Sequence, residues 1–80
     1  MIHEALNKLE DSRDKAFNVK KLDEYNTFCE IIRLICLSDT QSARSIALNI
    51  DKIIAYVEKG NYAHVTKDVK RLCNAAKRMS

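Results

Sequence analysis

The sequence predicts an all-α fold, a small antiparallel bundle of about four helices, and three observations carry that expectation. The 80 residues hold no proline and a single glycine, Gly60, so almost nothing interrupts regular structure. Leu, Ala, Lys, Glu and Arg are spread along the whole chain, a composition that favours helix over sheet. Apolar residues recur at three-four spacing rather than alternating. The helices are expected near 3–17, 20–37, 40–59 and 62–78, joined by short loops within one domain, 1–80.

In the first segment Ile2, Ala5, Leu6, Leu9, Ala16 and Phe17 form one rough stripe. Glu4–Lys8 and Asp11–Lys15 are i,i+4 pairs in the favoured order. The stripe lapses at Ser12–Arg13 and loses phase near Asn18–Val19, where a bend or short turn is expected. The second helix has a broad apolar arc of Tyr25, Phe28, Cys29, Ile31, Ile32, Ile35 and Cys36, with Leu34 and Leu37 outside it. An arc this wide suits a helix with neighbours on two sides: either it is the central element of the monomer, or part of it seals an oligomer interface.

The stretch "SDTQ", Ser38 to Gln41, reads as a capping box in which Ser38 accepts from the next helix and Gln41 reaches back. The third helix then runs unbroken to Lys59, with Ala43, Ile46, Ala47, Ile50, Ile53, Ile54 and Val57 in phase. Gly60 follows where a left-handed C-terminal residue is wanted. The fourth helix carries Tyr62, Val65, Val69, Leu72, Cys73, Ala76 and Met79 on one side and Lys67, Lys70, Arg71, Lys77 and Arg78 centred on the other. Ile50, Ile53, Ile54, Val69, Leu72 and Cys73 are expected to be the most buried positions.

Composition bounds the function. Net charge is +3, divided unevenly: residues 1–40 hold six Lys/Arg against eight Asp/Glu, whereas residues 41–80 hold eight against three. The halves are complementary, which favours docking on each other or on a second copy. No stretch approaches the run of about 20 apolar residues that spans a bilayer. The mixed-charge start, "MIHEALNKLEDSRDK", is no signal peptide. Cys29 and Cys36 stand two helical turns apart, too far for a disulfide, and Cys73 has no obvious mate. Reduced thiols in a cytoplasm are the expectation. Ile, Asn and Lys make up 23 of the 80 residues, which suggests an AT-rich genome, bacterial or phage.

No catalytic or cofactor motif stands out. His3 and His64 are the only histidines, and no C-x-x-C or H-x-x-x-H pair exists to hold a metal. His64 and Asp68 stand one turn apart, but Cys73 projects from another face. No glycine-rich loop is available for a phosphate. An enzyme is therefore not expected, and no cofactor or metal. The hairpin "YVEKGNYAHVTKDV" resembles one turn of a tetratricopeptide repeat. A second copy at the roughly 34-residue period is missing, which leaves a generic helical hairpin. As a helix-turn-helix the last helix would present "NYAHV" to the groove, uncharged and partly apolar.

The sequence thus points to a small cytoplasmic protein-binding module, an inhibitor, adaptor or immunity-type regulator acting by occupancy and forming homo-oligomers. Its candidate partner-binding residues are Lys67, Lys70, Arg71, Lys77 and Arg78 on the basic face and Leu34 and Leu37 on the second helix. The alternative is a nucleic-acid-binding regulator using that basic face. Stacking aromatics are absent there, and Asn74 is the only amide among the cations that could read a base edge.

Overall fold

Five helices build the molecule: α1 (Ile2–Asn18), α2 (Leu22–Leu37), α3 (Thr40–Ala47), α4 (Ile50–Glu58) and α5 (Tyr62–Met79). The computed structural model describes residues 2–79, and within that span every side chain except those of Ala76, Lys77 and Met79. The described residues contain no strand. The radius of gyration is 11.8 Å, close to the roughly 12 Å of a compact chain of this length.

α1 buries Ala5, Leu9 and Ala16. These are mostly small side chains, so α2 approaches α1 closely and the two share the most extensive helix–helix contact of the bundle. Lys8 does not pair with Glu4 as its spacing suggests. It reaches across to Asp51 of α4 at 3.0 Å, an exposed pair worth little to stability. α2 buries Phe28, Ile31 and Ile35 together with Thr27, whose hydroxyl donates to the Asp23 carbonyl at 2.9 Å.

The cap between α2 and α3 is shifted by one residue from the expected box. Asp39 is the N-cap and accepts from the Ser42 amide at 2.8 Å. Ser38 instead closes α2: its hydroxyl donates back to the Leu34 carbonyl and lies 3.1 Å from the Cys73 sulfur. With its hydroxyl engaged on α2 and α5, Ser38 is unavailable to α3, and Asp39 takes the role.

The helix expected over 40–59 is two helices. At Asn49 (φ −109°, ψ 13°) the backbone amide donates to Ile46, three residues back, at 3.0 Å, and the side-chain amide donates to the Ser45 carbonyl, also at 3.0 Å. A side chain that bonds its own preceding turn competes with helix propagation, and the chain bends there. The bend lets α3 pack chiefly on α5, where the fully buried Ser42 hydroxyl donates to the Cys73 carbonyl at 3.3 Å.

Of the six positions expected to be most buried, Ile50, Ile53, Val69 and Cys73 are buried, whereas Ile54 and Leu72 are only half-buried. The deepest side chains include Leu9, Phe28, Ile31, Ile46, Val57, Val65 and Val69, because α1 and α2 close over the α4–α5 hairpin. The cysteines also divide. Cys73 is buried as its apolar face suggests, Cys29 is half-buried, and Cys36 is exposed.

The α1–α2 and α4–α5 turns are built alike. In the second, the Gly60 amide donates to Val57 at 2.9 Å and the Asn61 amide to Tyr56 at 3.1 Å, with Gly60 at φ +87°. In the first, Lys20 donates to Phe17 at 3.1 Å and Lys21 to Ala16 at 2.9 Å, with Lys20 at φ +62°. Both are Schellman motifs, and each needs one left-handed residue. Glycine takes that conformation freely, whereas lysine is strained there by about 1–2 kcal/mol. Gly60→Ala is therefore expected to lose about 1 kcal/mol although its Cβ would meet nothing within 4 Å. Lys20→Gly should gain about 0.5–1 kcal/mol, less than the strain because glycine is more flexible when unfolded. Urea melts of both variants check the pair, and a Lys20→Gly variant that loses stability would mean the two turns are not equivalent.

Candidate functional site

The two Schellman turns come together at one end of the bundle. A recess there is lined by Lys20, Lys21, Leu22, Asp23 and Glu24 from the first turn and by Glu58, Lys59, Gly60 and Tyr62 from the second. A second arm, about 250 Å³, runs between α1 and α2 and is lined by Ser12, Lys15, Ala16, Val19 and Phe28. The arms share Lys21, Glu24 and Glu58.

Several local rules are broken within the eight residues 17–24. Phe17, Val19 and Leu22 are 58%, 57% and 60% exposed, although Phe17 is expected on the buried stripe of α1. Ala16 beside it is buried, and the Phe17 ring leans instead on Tyr25, 5.4 Å between centroids and tilted by 52°. Lys20 holds the left-handed backbone described above. Glu24 is the converse case, an acidic residue only 7% exposed overall. It belongs to the first turn of α2, where the positive end of the helix dipole favours an acid. Burial raises the Tyr62 phenol above its ordinary range, with the nearby carboxylates of Glu24 and Asp23 adding to the shift. On the other side of the tip, a hydrogen bond with Cys29 does the same for Tyr25.

The residues singled out from the sequence are distributed differently. Lys67, Lys70, Arg71 and Arg78 are all exposed and line a shallow groove with Asn74 and Ala75. Arg71 is 3.8 Å from Asp68, which also meets His64 at 3.3 Å. The Lys77 side chain lies outside the described residues. Leu34 is half-buried and packed on the core, whereas Leu37 is 73% exposed at the far end of α2 from the tip. Neither leucine joins the basic groove. Sequence reasoning missed the 17–24 tip. The available signal was "FNVKKL", in which large apolar residues alternate with polar ones at an expected turn.

Among the described residues, no group of three or more His, Cys, Asp or Glu side chains could hold a metal ion, and no helix is long and apolar enough to cross a membrane. No known protein family, curated protein or solved structure matches the chain.

Proposed function

We propose that this is a small single-domain protein-binding module, of the inhibitor, adaptor or immunity type, which works by occupying a partner's surface in the cytoplasm rather than by catalysis. One observation carries the reading: three large apolar side chains, Phe17, Val19 and Leu22, stand more than half exposed around a strained turn at one end of the bundle. Scattered exposed apolar residues need no explanation, but three within six residues at one turn suit the centre of an interface. Strain and unburied apolar surface cost stability, and such violations collect where function requires them. Leu37 and Leu48, also largely exposed, lie outside the tip.

The test compares affinity capture from the native host by the wild-type chain and by a Phe17→Asp, Leu22→Asp double variant with unchanged helical circular dichroism. Partners retained by the wild type and lost by the variant are expected. An identical set of partners would remove the tip from the interface.

A second reading, binding of nucleic acid, is favoured by the groove that Lys67, Lys70, Arg71 and Arg78 line with Asn74. It ranks lower because Asp68 partly neutralises Arg71. A nucleic-acid surface would shift a DNA probe, with log K falling about 0.9 per neutralised phosphate against log salt. At about 150 mM salt we expect no such shift. Submicromolar binding abolished by reversing the four cations to Glu would reverse the ranking.

A further inference from the structure

We propose that the groove along α5 seats an acidic segment of the protein partner, with an apolar residue at one end of that segment reaching Leu22 at the tip. The proposal rests on the protein-binding reading above and gives it a recognition chemistry.

Three surface cavities join end to end on this side of the bundle. The recess at the tip shares Tyr62 with a hollow of about 480 Å³ that Thr27 of α2 and Thr66 of α5 also line. That hollow shares Lys67 and Lys70 with the groove already described, which continues to Arg78. From Tyr62 to Arg78 the track follows α5 for about 24 Å at about 1.5 Å per residue. About seven residues of extended chain cover that length.

Below the tip its charge is one-sided. Lys67, Lys70, Arg71 and Arg78 line the hollow and the groove, and among the described residues no Asp or Glu does. Asp68 reaches Arg71 at 3.8 Å, but no ion pair to Lys67, Lys70 or Arg78 is found among the described residues. The Thr27 and Thr66 hydroxyls already donate to carbonyls of their own helices. The lysines are therefore the donors of the hollow, and carboxylates placed there gain charge-assisted hydrogen bonds.

The recess at the other end differs. Lys20, Lys21 and Lys59 are matched there by Asp23, Glu24 and Glu58, and Leu22 stands beside them. It selects neither sign of charge but offers apolar surface. A nucleic acid is anionic along its whole length and would meet Asp23 and Glu58 on entering the recess. A peptide can change from acidic to apolar where the track does.

The test titrates the isotope-labelled full chain with a peptide of two leucines followed by six glutamates, read by NMR at about 50 mM salt. A peptide of the same residues with its leucines in the middle is the control, and single-stranded oligothymidine of equal length is the rival. Saturable shifts at Thr27, Ala63, Thr66, Lys67 and Lys70 are expected, with a Kd of about 10–100 µM. Lys67→Gln with Lys70→Gln, both at exposed positions, should weaken binding by about tenfold or more while leaving helical circular dichroism unchanged. The control peptide should bind about fivefold more weakly than the leucine-headed one. Absent shifts, or equal affinity for the double variant, would overturn the proposal. Equal affinity for the two peptides would do so as well, because the groove would then be an unselective cationic face. Tighter binding of the oligothymidine would overturn it in favour of nucleic acid. The protein-binding reading fails separately, by the capture comparison above, which does not depend on the peptide.

Discussion

Replacing Phe28 with alanine is expected to cost about 3–5 kcal/mol, enough to unfold a large fraction of a domain whose total stability is on the order of 5–10 kcal/mol. Phe28 is 1% exposed and the largest fully buried side chain. It sits on α2, which contacts α1 most extensively and α5 substantially as well. Removing the ring takes away buried apolar area and leaves a cavity that three helices cannot all collapse into. Leu72→Ala gives the contrast. Leu72 would be an equal loss if the α4–α5 seam were the centre of the core, but it is half-buried, so a loss of about 1 kcal/mol is expected. Chemical denaturation of both variants measures the difference. A Phe28→Ala loss below that of Leu72→Ala would move the core from α2 to the α4–α5 seam.

Apolar spacing located the helices well because it reports which face of the chain is buried. Gly60 marked its turn because only one residue type takes φ +87° without strain, and the loss of phase near Asn18–Val19 lies beside the Lys20 turn. The break at Asn49 was not legible. Ala43, Ile46, Ala47, Ile50, Ile53 and Val57 stay in phase across it and are all buried, so one continuous face covers a discontinuous backbone. The break resides in hydrogen bonds, to which periodicity is blind. The cap was misplaced for a related reason. Ser38 and Asp39 are both good N-cap residues, and the Ser38 hydroxyl is engaged by Leu34 and by Cys73, which is 35 residues away.

The candidate site was less legible than the fold. Glu24 is one of eight acidic residues in the first half of the sequence, and nothing local separates it from Asp23, its exposed neighbour. Its surroundings come from elsewhere in the chain: residues of α1 and Glu58 of α4 line the same cavity. Phe17 failed in the other direction. It was assigned to the apolar stripe of α1, but Ala16 beside it takes the buried position and Phe17 packs on Tyr25. The basic face of α5 was legible because a solvent-exposed helix face is a local property. Lys67, Lys70, Arg71 and Arg78 are exposed as their spacing implies.

At about 100 µM the protein is expected to sediment as a dimer, and Phe17→Asp with Leu22→Asp to return it to a 9.2 kDa monomer. A standard interface covers about 800 Å² per partner, close to a seventh of the 5342 Å² that this small molecule exposes. The 17–24 tip is suited to the centre of such a patch. In a two-fold dimer it would meet its own copy, so each substitution acts twice. The surrounding charges are compatible with that arrangement, since Lys20, Lys21 and Lys59 surround the same recess as Asp23 and Glu58, allowing cations of one copy to face acids of the other. Two apolar anchors turned to aspartate, each counted twice, should weaken association by about 100-fold or more. Raising salt should weaken it far less, because the central contacts are apolar and only the rim is screened. Sedimentation equilibrium of the wild type and the double variant checks this. A wild-type monomer at that concentration would exclude self-association through the tip, and a dimer that survives both substitutions would place the interface elsewhere.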